Sequence, residues 1–182
     1  ACAMHCRYCF RRHFDYKQGD FSFKKEIEIL KGNPTLSEVI LSGGDPLSLQ
    51  NKYLKSLLDA LSKIPHLKLI RWHSRFPIGI PERIDSEFLN ILETSPLQQI
   101  FVTHCNHFKE LDRENLEALK KIQKLGIPVL NQAVLLKGVN NSISALKQLC
   151  LTLASNGILS YYLHYLDKVE GAGHFQVSKK VK

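Results

Sequence analysis

Cys2, Cys6 and Cys9 crowd the start of the chain, in the run Ala1-Cys2-Ala3-Met4-His5-Cys6-Arg7-Tyr8-Cys9-Phe10. The C-x3-C-x2-C spacing gathers three thiolates in one short loop, enough to hold three irons of a [4Fe–4S] cluster. Most such clusters use four cysteines, so one iron is left to bind something else. An open iron is a place for chemistry. Zinc is the competing reading. Structural zinc takes four ligands, often from paired C-x2-C knuckles. His5 could be the fourth, although it lies inside the loop and no second pair follows. Cys105 and Cys150 sit far apart in apolar stretches, where a free cysteine is expected to be a buried structural residue. Five cysteines without a secretory segment point to a reducing compartment and away from a disulfide framework.

The elements that must position this loop alternate along the chain. Short β-branched, apolar runs predict strands at Glu38–Ser42, Leu67–His73, Gln98–His104, Ile127–Val134 and Ser160–Leu166. Helical periodicity predicts helices at Phe21–Lys31, Lys52–Lys63, Ser86–Glu93, Arg113–Leu125 and Ser142–Asn156. The strands recur about every 30 residues, the size of one βα unit, so the expected fold is a parallel sheet with helical crossovers. Polar residues follow the strands: Ser42-Gly43-Gly44-Asp45, then His73-Ser74-Arg75, then His104-Cys105-Asn106-His107. Asn131-Gln132 falls within the fourth strand, and His164 and Asp167 near the end of the fifth. Parallel α/β folds bind ligands at that edge. The glycine pair after the first strand lets a ligand approach the backbone closely, although glycine before Asp-Pro is also ordinary turn chemistry.

Composition sets the remaining bounds. The 182 residues are 44% hydrophobic and carry a formal charge of +8. They suit one domain, 1–182, with a sizeable core. No apolar run is long enough to span a bilayer, and no signal-peptide pattern is present, so the expected location is cytoplasmic. Lysines such as Lys120, Lys121 and Lys124 are scattered along helical faces, which favours solvated surface over a nucleic-acid patch. The chain opens on the cysteine loop and stops at Lys182. It is expected to be truncated at both ends, lacking a strand before Cys2 and a C-terminal segment.

Taken together, these residues resemble the radical S-adenosylmethionine (SAM) enzymes, and within them the lysine 2,3-aminomutase family. The matching segments are Cys6-Arg7-Tyr8-Cys9-Phe10-Arg11-Arg12-His13-Phe14, Ser42-Gly43-Gly44-Asp45-Pro46 and His73-Ser74-Arg75. Asn131-Gln132-Ala133-Val134-Leu135-Leu136, Tyr161-Tyr162-Leu163-His164 and Gly171-Ala172-Gly173-His174-Phe175 follow. The Phe10–Phe14 stretch and Leu163–Val169 are most similar to the branch that makes β-lysine for elongation factor P. The lysine-degrading branch tends to have threonine in place of Phe10 and tyrosine in place of His164. The resemblance implies an α/β fold, a partial (β/α)6 TIM-like barrel.

It also implies roles. Cys2, Cys6 and Cys9 would ligate the [4Fe–4S] cluster, whose open iron SAM would chelate. Tyr8, Ser42, Gly43, Gly44, Asp45, His104 and Gln132 would contact SAM. Arg11 would clamp the substrate carboxylate with its bidentate fork, and Asp167 would hold the distal ammonium. The implied reaction is an isomerisation converting (S)-α-lysine to (R)-β-lysine, by hydrogen abstraction with a 5′-deoxyadenosyl radical and amino migration assisted by pyridoxal phosphate (PLP). The PLP-binding lysine is expected beyond residue 182; Lys137 and Lys168 read as exposed surface lysines. The implied functional partners are elongation factor P and its lysyl-ligase, with a homo-oligomer open and neither membrane nor nucleic acid expected. The alternatives are a catabolic lysine or a glutamate 2,3-aminomutase, or a non-catalytic Fe–S or zinc module binding nucleic acid through its charge.

Overall fold

The computed structural model describes residues 2–15 and 23–178. Its elements run α1 (Lys24–Lys31), β1 (Glu38–Leu41), α2 (Asn51–Leu61), β2 (Leu69–Ser74), α3 (Phe76–Gly79) and α4 (Ser86–Glu93). They continue with β3 (Gln98–His104), α5 (Arg113–Lys124), β4 (Val129–Leu135), α6 (Ile143–Ser155) and β5 (Leu159–Tyr165). All five expected strands and all five expected helices form. Phe21 and Ser22, the expected start of α1, lie outside the described residues.

Local chemistry sets most boundaries. Asp85 accepts the Phe88 N–H at 2.7 Å to open α4, and Ser142 accepts the Ala145 N–H at 3.1 Å to open α6. At α5, Asp112 and Asn115 accept each other's backbone N–H at 2.9 and 3.3 Å, a reciprocal cap. α2 stops short of the expected Lys63. There the Ile64 N–H bonds the Leu61 carbonyl at 3.0 Å, tightening the last turn before Pro65. β4 starts at Val129 rather than Ile127, because Pro128 has no N–H to give the ladder. The single turn α3 was not expected from periodicity, which a four-residue element cannot display.

The strands pair in parallel, in the order β1-β2-β3-β4-β5. Each crossover moves one place in the same direction. Right-handed crossovers of that kind put every helix on the same side of the sheet. That side holds the core, where Leu54 and Leu58 of α2, Phe88 of α4 and Leu119 of α5 pack against Ile70, Trp72 and Phe101. Trp72 is fully buried, meets the Phe88 ring edge-on at 5.6 Å and donates to Gln99 Oε1 at 3.0 Å.

The opposite face is concave. Leu69, Arg71 and His73 alternate with the buried residues of β2 and stand half-open. Arg71 donates to Glu38 of β1 at 2.7 Å and to the Tyr161 hydroxyl of β5 at 2.9 Å. Two strands separate β2 from β5, so one side chain can bridge them only if the sheet curls. This is the α/β partial barrel that the sequence implies. Tyr161 is the extra residue of a bulge, since Asn131 pairs with Ser160 and Gln132 with Tyr162.

Replacing the best-packed residue of this core tests the layering. Trp72→Ala should cost about 3–5 kcal/mol of unfolding free energy by urea titration, and a loss below about 1 kcal/mol would contradict a helix-covered Trp72.

Candidate active site

The cysteine loop folds over the carboxyl ends of the strands. Its turns close through Cys9 N–H to the Cys6 carbonyl and Arg12 N–H to the Cys9 carbonyl, both at 3.1 Å. Cys2, Cys6 and Cys9 are half-buried, and all three line one pocket of about 290 Å³. Burial pushes the thiols of Cys2 and Cys6 up, and iron binding would have to offset that cost. His5, in the left-handed region at φ 45°, is exposed and off the pocket wall. Among the described residues, no group of three or more His, Cys, Asp or Glu side chains converges as a single metal ion requires. A zinc ion needs such convergence, with ligands about 2.0–2.3 Å from one centre. The three cysteines share the pocket wall and His5, the fourth ligand that zinc would take, does not, an arrangement that suits a cluster in which each thiolate grips a different iron.

The other two cysteines divide. Cys105 is buried, and its thiol is pushed up to about 12 by burial and by Glu110. Cys150 is exposed on α6, contrary to the expectation of a buried residue. Apolar neighbours in sequence did not reveal which side of the helix it occupies.

The glycine turn forms the next wall. Gly43 adopts φ 113°, a conformation that favours glycine, and its carbonyl accepts Arg11 Nη1 at 2.7 Å. The guanidinium expected at a substrate carboxylate thus rests on the glycine turn. Asp45 is buried, and its carboxylate accepts from Leu47 N at 3.0 Å, Ser74 Oγ at 2.8 Å and Arg75 N at 2.7 Å. Burial raises its pKa, and those three bonds hold it down only in part. Most of its lone pairs are committed to tying the end of β1 to the end of β2.

His73, His104 and Gln132 complete the inner wall, while the exposed His164 and Asp167 stand at its outer edge with Leu166. His104 lies edge-on to Tyr8 at 5.6 Å. Burial, then the charges of Arg75 and His164, lower its pKa to about 3, so its ring is neutral. His73 is lowered in the same direction by burial and then by Arg71. The Nε2 atoms of both rings are buried without a hydrogen-bond partner. Orphan polar atoms on a pocket wall are what a polar ligand would satisfy.

Asn131 and Gln132 part company. Strand alternation turns Gln132 to the pocket and Asn131 to the helix side, where its amide bonds the Cys105 N–H at 2.8 Å and carbonyl at 3.0 Å. Behind the cysteine loop lies a network that periodicity did not reveal. Arg75 donates to the Tyr8 hydroxyl, to the His104 carbonyl at 3.0 Å and to Glu110. Glu110 accepts the N–H groups of Asn106 and His107 at 2.8 and 2.9 Å. Arg75 was visible only as a polar strand end. Glu110 carried the weak signal of a cap three residues after His107.

A 4Fe–4S single cluster domain family matches residues 1–76. The L-lysine 2,3-aminomutase of Haemophilus influenzae is 45% identical over 180 residues, covering 97% of this chain and 53% of that protein. The L-lysine 2,3-aminomutase of Escherichia coli is 44% identical over 180 residues, with the same coverage. The chain therefore spans about half the length of these curated relatives. Among solved structures, Streptococcus suis SuiB bound to S-adenosylmethionine superposes with a TM-score of 0.69 at 18% identity, over 99% of this chain and 41% of SuiB. That likeness carries the fold alone, while the sequence relatives carry a similarity to lysine 2,3-aminomutases over about half of their length.

Proposed function

We propose that this chain is the core of a radical SAM lysine 2,3-aminomutase, an isomerase converting (S)-α-lysine to (R)-β-lysine. One observation carries the reading: every residue given a role by the resemblance lines the same pocket, from Cys2 and Ser42 to Gln132 and Asp167. When bound, the cluster and SAM supply the 5′-deoxyadenosyl radical that takes hydrogen from the substrate. Cys2, Cys6 and Cys9 would hold three irons of the cluster, and the fourth would be left for SAM, on a pocket wall that also carries the glycine turn. Ser42, Gly43, Gly44 and Asp45 form the cradle for SAM, with Tyr8, His104 and Gln132 around it. Arg11 leaves the Gly43 carbonyl to clamp the substrate carboxylate, and Asp167 holds the distal ammonium. A like charge at Asp167 would repel the second carboxylate of glutamate, which disfavours a glutamate aminomutase.

The wall of this pocket carries no lysine among the described residues, and Lys137 and Lys168 are exposed. The PLP implied by the resemblance therefore finds no Schiff-base amine on this wall. Phe10 and His164, the positions that separate the two lysine branches, both line the pocket. They support the branch that supplies β-lysine for elongation factor P, in concert with its lysyl-ligase, over the catabolic one. Nothing favours the nucleic-acid module, and Lys120, Lys121 and Lys124 are exposed on α5.

Three outcomes follow. Anaerobic reconstitution should give about four irons and four sulfides per chain, and Cys6→Ser should reduce both to near background; one zinc without sulfide would overturn the reading. In an anaerobic assay of the full-length protein with lysine, SAM, PLP and reductant, β-lysine should form. Asp167→Asn should raise KM for lysine roughly tenfold, the worth of a charged hydrogen bond of about 1.5 kcal/mol. An intact cluster with no β-lysine would contradict the assignment.

The third outcome concerns pH. The folded-state pKa of His104 lies below its ordinary 6.5, at about 3, so its contribution to stability is fully present above 6.5 and is lost as pH falls toward 3. In that window the unfolded chain binds one more proton, worth about 1.4 kcal/mol per pH unit. Urea unfolding across that range should therefore be less pH-dependent in His104→Gln, and an unchanged slope would count against a neutral His104.

A further inference from the structure

Resting on the reading that Cys2, Cys6 and Cys9 hold an iron–sulfur cluster, we propose that the chain of contacts Glu110–Arg75–Tyr8, set against the loop that carries Cys6, sets the reduction potential of that cluster. Arg75 raises it and Glu110 lowers it.

The geometry holds this chain rigidly. Arg75 is fixed at both ends, its backbone N–H on Asp45 Oδ2 at 2.7 Å and its guanidinium on Tyr8, the His104 carbonyl and Glu110. Its side chain is only 18% exposed, and it lies 5.6 Å from the Tyr8 ring centroid. Tyr8 sits between two of the cluster cysteines in sequence, accepts from Arg75 through its hydroxyl, and lines the same pocket wall as Cys6 and Arg75. Glu110 is pinned from behind by the Asn106 and His107 N–H groups.

The physical consequence has a definite sign at each residue. Reduction adds an electron to an already anionic cluster. Hydrogen bonds to cluster sulfurs and a nearby fixed cation stabilise the reduced form, and a nearby carboxylate destabilises it. Arg75 stands between Glu110 and the loop, so its charge acts at the shorter range, in a poorly hydrated setting that strengthens both effects. Glu110 lines an outer cleft rather than the pocket that would take SAM and substrate. Its charge can therefore be removed without replacing a side chain of the binding-pocket wall, and the wall residue it touches is Arg75.

A merely structural role would loosen the loop in every variant and give no such opposition of sign. The test is an anaerobic redox titration of the reconstituted protein, followed by paramagnetic resonance, with iron and sulfide measured on the same samples. Arg75→Gln and Tyr8→Phe should each shift the potential to more negative values, Glu110→Gln to more positive values, and Arg75→Lys should restore most of the loss. If Arg75→Gln fails to fold, the near-isosteric Glu110→Gln decides alone. A positive shift there supports the proposal, and an unchanged or negative potential at full iron content overturns it. Shifts of one sign in all variants also overturn it. Absence of iron and sulfide from the parent protein would instead overturn the cluster reading, and this proposal with it.

Discussion

Parallel strands that finish at one rim leave their last backbone groups without ladder partners, and buried groups of that kind must be satisfied. Here side chains do it. Asp45 accepts from the end of β2, Asn131 takes both backbone groups of Cys105, and Asn106 Oδ1 accepts the Val134 N–H at 2.8 Å. Asn140 donates to the carbonyls of Asn106 and Val134 at 2.8 and 2.9 Å. All of these bonds except Asn140 to Val134, which closes the loop after β4, cross from one βα unit to another, so the rim is stitched together rather than left as independent loops. The cysteine loop docks on that stitched surface through Arg75, and the pocket keeps its shape because the floor beneath it does.

The same arrangement sets the electrical character of the site. The formal charge of +8 is a property of the whole surface, whereas the pocket interior is finely divided. Arg11 and Arg75 contribute fixed cations, Asp45 lies on the same wall, Glu110 answers Arg75 from the outer cleft, and burial keeps His104 uncharged. A wall of neutral rings with orphan nitrogens suits a polar ligand that brings both donors and acceptors. A wall of charged histidines would repel the cationic sulfonium of SAM.

Most of the architecture was legible in the sequence because it rests on periodicity and local caps. The alternating runs located every strand, and every helix but the single turn α3, to within a few residues, and the polar strand ends identified the rim. What escaped depended on contacts between distant residues. No local pattern announces that Arg75 meets Glu110 across two βα units, or that Arg71 reaches from β2 to Tyr161. Asn131 and Gln132 look equivalent as a pair, and only strand alternation sends one to the helices and the other to the pocket. Cys150 shows the limit from the other side, since apolar neighbours did not say which face of α6 it would occupy. The roles of Asp45 and Arg11 shifted in emphasis too, because both side chains already serve the loop and rim that hold them.

The central proposal is that the three cysteines would leave one iron of a cluster open, and that SAM would bind it there. Electron–nuclear double resonance of the reduced cluster with SAM labelled at its amino nitrogen and carboxylate oxygen addresses that claim directly. The account predicts hyperfine coupling from both labels, because both groups would sit on the open iron. A fully loaded, reduced cluster whose spectrum shows no coupling to either label would contradict it.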